Sequence, residues 1–277
     1  MGIGMAQRLL GAGFPLAVFN RTQEKAAPLA GQGARVASTP LEAARGADII
    51  ISMVADDAAS HAVWQGGHGA LAGVARGALL IESSTLTPKW IGELASAAAQ
   101  HGCELLDAPV TGTKIHASSG ELCFLVGGSA AGLEKALPVL KVMSRAVVHT
   151  GPSGSGALLK LINNFLCGVQ AAALGEALAL IEKGGLDRDK ALGVLTNGAP
   201  GSPLMKTLLT RIDAGDYAPN FRLSLMAKDL AYSLKEGARR GLSLAMVAAA
   251  LKAFTQAEAA GHGERDFAAI VQSSLSH

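Results

Sequence analysis

The sequence predicts an α/β protein in two parts: a doubly wound parallel sheet over residues 1–151, then an all-helical domain over 152–277. Three observations lead there. Short runs of aliphatic and β-branched residues alternate with amphipathic helix patterns through the first half, as a parallel sheet covered by helices requires. The alternation stops at the glycine-rich turn Gly151-Pro-Ser-Gly-Ser-Gly156. Beyond it only helical spacing follows.

Pro15–Asn20, Asp48–Val54, Ala78–Ser84, Glu104–Val110, Cys123–Gly127 and Ala146–His149 read as strands. Ile3–Leu10, Gln23–Gly31, Pro40–Ala44, Asp57–Trp64, Pro88–Gln100 and Ala130–Val142 read as the helices between them. Thr39, Thr87 and Ser129 each precede such a helix and supply an N-cap oxygen. Helical spacing then covers Ala157–Lys183, Arg188–Leu195, Leu204–Asp213, Leu223–Gly237 and Leu244–Ala260. In folds of this class ligands bind beyond the C-terminal strand ends and at domain clefts.

With 277 residues, 49% hydrophobic and 17% charged, the chain buries a large core and is not disordered. A net charge of +2 is too small for a nucleic-acid or membrane-surface binder, and 4% aromatics give no base-stacking surface. Cys103, Cys123 and Cys167 are odd in number and far apart, so no disulfide framework or zinc site is expected. A reducing, cytoplasmic location fits them, and the first ten residues lack a signal-peptide layout. Ala157–Ile181 is apolar but interrupted by Lys160, Asn163, Asn164, Gln170 and Glu176, so a buried helix is expected and no membrane span. The histidines show no two-His metal-binding spacing.

Asn20-Arg21-Thr22 closes the strand that begins at Pro15. In a doubly wound nucleotide fold, the end of the second strand meets the adenosine ribose. An acidic residue there selects a free 2′-hydroxyl, and an arginine accommodates a 2′-phosphate. Arg21 therefore favours NADP over NAD; the plainer alternative is a solvated turn with Thr22 as a helix cap. Gly2-Ile-Gly4 opens a helix with no strand before it, whereas the dinucleotide fingerprint runs strand, Gly-x-Gly-x-x-Gly, helix. Gly2 fits only the third glycine, the one for close helix–sheet packing. Met1 is accordingly expected to be an internal methionine read as the start.

Several blocks occur in the order found in one family. They are Met1–Ala6, Asn20-Arg-Thr22, Ser84-Thr85 with Pro88, Asp107-Ala-Pro-Val110, and Gly120-Glu-Leu122 with Val126-Gly-Gly128. Gly151-x-x-Gly-x-Gly156, Lys160-x-x-Asn-Asn164 and Phe221 with Lys228-Asp229-Leu230 complete the series. Over essentially its whole length the chain resembles the β-hydroxyacid dehydrogenases. These include 3-hydroxyisobutyrate dehydrogenases and the reductases of tartronate semialdehyde, glyoxylate and succinic semialdehyde. The resemblance implies a Rossmann-type nucleotide domain, NADP as cofactor, and Lys160 as catalytic acid/base. Two departures stand out. The family carries a further strand and pyrophosphate-binding turn upstream. Thr111-Gly112-Thr113-Lys114 replaces the common Ser-Gly-Gly and looks like the glyoxylate and succinic semialdehyde reductase branch.

The residues themselves suit that chemistry. Hydride delivery to an aldehyde leaves an alkoxide that needs a proton, and the reverse reaction needs a proton removed. A lysine does both once burial lowers its pKa. Lys160 sits in an apolar helix pattern with Asn164 as its i,i+4 neighbour, so both face one ligand. Asn164 holds either the lysine or the substrate oxygen, with Asn163 as a further partner. Thr111, Gly112 and Thr113 follow a strand end and suit a carboxylate, with Lys114 adding charge. The resemblance also implies Thr85 beside the nicotinamide ribose, Met53 and Val54 along the cofactor, and Phe221 and Lys228 approaching it from the helical domain. Plainer alternatives are a snorkelling lysine, ordinary turn residues and a surface Lys228–Asp229 pair. His116 beside the substrate loop either tunes specificity or is a surface residue.

The expected function is hydride transfer between NADP(H), with NAD as second choice, and a small carboxylate-bearing aldehyde or hydroxyacid. Glyoxylate, succinic semialdehyde and tartronate semialdehyde all remain open. The incomplete glycine turn supports an alternative, a non-catalytic relic or an oligomerising binding protein. An imine reductase is disfavoured because Lys160 is retained. The long apolar helices favour a homo-oligomer.

Overall fold

The computed structural model describes residues 1–275. The chain forms two compact units, one over Met1–Lys160 and one from Leu161 onward. In the first, α1 (Gly2–Gly11) leads into β1 (Ala17–Val18), which pairs in parallel with β2 (Arg35–Val36). The helix expected over Gln23–Gly31 is instead a 3₁₀ turn, Gln23–Lys25, followed by the single-turn α2 (Ala27–Ala30). Pro28 is the reason, since it has no N–H to extend a helical ladder from the preceding turn.

The larger sheet contains β3 (Ile49–Ser52), β4 (Leu79–Glu82), β5 (Glu104–Asp107), β6 (Val110–Thr111), β7 (Leu122–Gly127) and β8 (Ser144–Gly151). β3, β4 and β5 are parallel, as expected. β5 and β6 lie antiparallel along one edge of β7, and β8 lies parallel along the other. The single strand expected over Glu104–Val110 is therefore broken at Ala108-Pro109, because proline cannot donate to a ladder. β1 and β2 form a separate two-stranded sheet, and β3 ends the strand order of the larger one.

Side chains alternate across the sheet. Leu79 and Ile81 of β4 pack with Leu106, Phe124 and Leu140, while Leu80 packs with Trp64, Trp90 and Leu94. Both faces are thus covered, which is what confines parallel sheets to α/β proteins. α3 (Pro40–Ala44), α4 (Asp57–Trp64) and α5 (Pro88–Gln100) occupy their expected ranges. α6 (Lys114–Ser119) was not expected, and α7 (Ala130–Val142) was. Thr39, Thr87 and Ser129 accept the N–H groups of Glu42, Trp90 and Gly132, so all three expected caps are made.

α8 (Ser155–Lys183) runs unbroken through the division between the units. By length and composition it could cross a membrane, but Leu161, Leu174, Leu178 and Ile181 are buried as core residues. The second unit continues with α9 (Arg188–Asn197), α10 (Pro203–Asp213), α11 (Leu223–Arg239), α12 (Ala245–Ala257) and α13 (Ile270–Leu275). Leu174, Leu178, Leu208, Leu230 and Phe254 form its core.

Candidate active site

At the C-terminal ends of the parallel strands, α1 begins beside β3. A Cβ added at Gly2 would lie 3.8 Å from Met53, in ordinary contact. The tight position is Gly4, whose added Cβ would lie 2.9 Å from Ser118 N and Oγ in α6. The close-packing role assigned to Gly2 therefore belongs to Gly4, and the neighbour that demands it is a helix absent from the sequence reading.

The loops after β3 and β4 are stitched together. Ser84 Oγ accepts the Val54 N–H at 2.7 Å, and the Ser84 N–H donates to Glu82 Oε1 at 2.9 Å. Glu82 is fully buried and also accepts from Ser60 Oγ at 2.6 Å and Trp64 Nε1 at 2.7 Å. Burial pushes its carboxyl above the usual range, against the pull of these donors. Sequence reasoning named Val54 but missed Glu82 and the bridging role of Ser84. Met53, Val54 and Thr85 are half-buried here. The hydroxyls of Ser52 and Ser83, on the same strand ends, are buried without a protein partner.

At the end of β1, Asn20 Nδ2 donates to the Thr22 carbonyl at 2.7 Å and shapes the turn. Arg21 and Thr22 are exposed. Thr22 precedes the 3₁₀ turn without making a side-chain cap bond, so the capping alternative for this residue does not hold.

The loop after β6 is shaped by a glycine and a histidine. Gly112 has φ +123°, and an added Cβ would lie 3.1 Å from His116 Cβ and Leu122 Cδ2. Both the backbone and the space require glycine there. The Thr113 N–H donates to His116 Nδ1 at 3.1 Å, and Thr113 Oγ1 lies 2.9 Å from the same nitrogen. An accepting Nδ1 leaves the imidazole proton on Nε2. His116 is thus half-buried and holds the loop, and the Thr113 N–H is already used. Thr111 is half-buried and Lys114 is exposed.

Lys160 is half-buried in the second turn of α8. The start of that helix is held by Asp107, at the end of β5. Asp107 Oδ1 accepts the Gly154 N–H at 2.7 Å and Oδ2 accepts the Ala157 N–H at 2.8 Å. Burial raises the Asp107 carboxyl above its usual range, against these backbone donors.

One turn further on, in the second unit, Asn164 is buried. Its Nδ2 donates to Asp229 Oδ2 at 2.6 Å, and its Oδ1 accepts from Asn163 Nδ2 at 2.9 Å. Lys228 Nζ lies 3.0 Å from Asp229 Oδ1 and 4.9 Å from the Tyr232 ring centroid. Asp229 is buried and Lys228 half-buried, so the two do not form a surface pair. Phe221 is fixed by its N–H, which donates to Asp266 Oδ2 at 3.0 Å, and by an edge contact with Phe267. Asp229 and Asp266 were missed as supporting residues. A Lys-Asp dipeptide within an apolar helix pattern was the available signal for Asp229; nothing local marked Asp266.

The comparisons with known proteins make this chain a pyridine-nucleotide-binding oxidoreductase. The NAD binding domain of 6-phosphogluconate dehydrogenase matches residues 1–151. The NAD-binding domain of NADP-dependent 3-hydroxyisobutyrate dehydrogenase matches residues 154–274. The chain is 34% identical to the NAD-dependent L-serine dehydrogenase of Pseudomonas aeruginosa, over 98% of this chain and 93% of that protein. It is 32% identical to glyoxylate/succinic semialdehyde reductase 1 of Arabidopsis thaliana, over 98% and 94%. A solved structure of Mycobacterium tuberculosis 3-hydroxyisobutyrate dehydrogenase with L-serine superposes with a TM-score of 0.91 at 30% identity, covering 99% of this chain and 95% of that one. The protein belongs to the β-hydroxyacid dehydrogenase family.

Proposed function

We propose that this protein transfers hydride between NADP(H) and a small carboxylate-bearing aldehyde or hydroxyacid, with Lys160 as the acid/base. The observation that carries the reading is the pairing of Lys160 with Asn164 on one turn of α8, Asn164 being buried and hydrogen-bonded to Asp229. The bound nucleotide supplies or accepts the hydride. Lys160 Nζ gives a proton to the substrate oxygen in reduction and takes it back in oxidation. Asn164 keeps one amide hydrogen and one carbonyl lone pair beyond its protein partners, which suits holding the lysine or the substrate oxygen.

The Thr111-Gly112-Thr113 loop receives the substrate carboxylate, aided by Lys114; Thr113 spends its N–H and hydroxyl proton on His116 Nδ1 and so shapes the loop, leaving Thr111 and Gly112 to donate. Small 2- or 3-carbon acids and succinic semialdehyde fit that reading equally. Gly2 and the α1 start take the pyrophosphate, Met53, Val54 and Thr85 line the nicotinamide side, and Phe221 and Lys228 serve the cofactor from the helical domain. Arg21 receives the 2′-phosphate, with Asn20 and Thr22 shaping its turn. The P. aeruginosa relative is NAD-dependent by name, so cofactor choice is the first thing to measure. Steady-state rates with glyoxylate, succinic semialdehyde and tartronate semialdehyde, each with NADPH and NADH, test the proposal. Turnover with any of them that survives Lys160→Ala refutes the lysine's role. Self-association is proposed along α8, where Leu159, Ile162 and Leu166 are exposed at i, i+3 and i+7. Sedimentation of Leu166→Glu against the parent protein tests it, and an unchanged oligomer refutes that surface.

A further inference from the structure

The carboxylate of Asp107 is fully buried and spends both oxygens on the backbone where α8 begins. A helix start leaves its first N–H groups without intrahelical partners, and a negative acceptor there also complements the helix dipole. Here the acceptor comes from a strand end 47 and 50 residues away in sequence. The fit around it is close. A Cβ on Gly156 would lie 2.2 Å from the Leu125 carbonyl oxygen and 3.0 Å from Asp107 Oδ2. A Cβ on Gly127 would lie 2.5 Å from Asp107 Oδ1. Glycine at both positions lets β5, β7 and the first turn of α8 approach to backbone contact. A second tie runs from Val126 O through the Thr150 hydroxyl to Ser155 Oγ, at 3.0 and 2.8 Å.

Lys160 follows Ala157 by three residues, just under one helical turn. Any rotation or slip of the first turn of α8 is passed to Lys160 directly. We propose that Asp107 is a positioning residue for Lys160: its carboxylate clamps the start of α8 to the sheet and so fixes where the lysine is presented. The inference rests on Lys160 being the acid/base.

Asp107→Asn keeps the shape but removes the charge and turns one acceptor into a donor facing an N–H. Turnover should fall roughly 10- to 100-fold, the scale of a displacement of about 1 Å at a reacting group. Dinucleotide affinity, followed by NADPH fluorescence, should stay within about twofold. In a Lys160→Ala background the same change should cost nothing further, because residues acting through one group are not additive. Multiplicative losses in the double variant, or equal losses in turnover and nucleotide affinity, would overturn the inference. Near-normal turnover in Lys160→Ala alone would instead sink the catalytic reading. An inactive Lys160→Ala beside a normal Asp107→Asn would sink only the positioning role. Should Asp107→Asn not fold, Gly154→Ala serves. Its φ of +88° strains the same donor turn, while its added Cβ has no neighbour closer than 4.0 Å. A threefold or larger loss of turnover at unchanged affinity is expected there, and unchanged turnover overturns the proposal.

Discussion

Asp107 and Asp229 are both buried carboxylates bonded to α8, and their partners are of opposite kinds. Asp107 takes two backbone N–H groups at the helix start. Asp229 takes a side-chain amide from Asn164 and an ammonium from Lys228. Among substitutions only proline removes the backbone donors of the first, so apart from the aspartate and its glycine neighbours that contact depends little on side-chain identity. The second is a network of three replaceable side chains. It offers more chemistry and more ways to fail, because each loss leaves another polar group buried without a partner.

Substitutions separate the two. Lys160→Ala, between Ala157 and Asn164, the α8 partners of the two carboxylates, should lower turnover by at least about 10²-fold while NADPH binding survives. Single-turnover absorbance at 340 nm measures the first and fluorescence titration the second. Asp229→Ala should destabilise the fold by about 3 kcal/mol, since it strands Lys228 and the Asn164 amide. Urea denaturation followed by circular dichroism gives the value, and a loss below about 1 kcal/mol would make the network incidental. Arg21→Ala lies outside both contacts. It should weaken NADPH roughly tenfold, the scale of one charge-assisted contact, and leave NADH nearly unchanged. Equal losses would remove the 2′-phosphate role.

The smallest effect is a pH dependence from Asp107. Its folded pKa is raised by burial, so the folded chain keeps this proton to higher pH than the unfolded chain. The associated stability is complete below the unfolded carboxylate pKa and is lost as pH rises through the folded value. Glu82 acts in the same direction. Urea midpoints should therefore decline from acidic toward neutral pH, less steeply in Asp107→Asn. A slope identical to the parent's would show that Asp107 does not contribute.

Periodicity and caps made most of the fold legible. α3, α4, α5 and α7 match their expected bounds because each begins at a cap and carries an apolar stripe. The misses share one physical type. Pro28 and Pro109 break elements that hydrophobic spacing alone runs together. α6 is a single short helix whose capping partner, His116, reads in sequence as a lone histidine. Of the site, Lys160 and Asn164 were visible as polar residues in an apolar helix. Glu82 and Asp266 were not, because partners that define them lie 18 and 46 residues away; Asp229 was marked only by the Lys228-Asp229 dipeptide, its Asn164 partner lying 65 residues away.

The Glu82 cluster has an optical consequence. Trp64 and Trp90 are the chain's two tryptophans, and both are buried in the first unit. Trp64 donates to Glu82, Trp90 donates to Ser60, and His61 stacks on Trp90 with ring centroids 4.4 Å apart. Indole emission is therefore a private channel to the nucleotide-binding unit, since the helical unit contributes none. Its wavelength and intensity report whether that one carboxylate and its hydroxyl bridge are intact. The protein thus carries one intrinsic label confined to the first unit, and no dye is needed to follow that unit's melting against the loss of helix seen by circular dichroism.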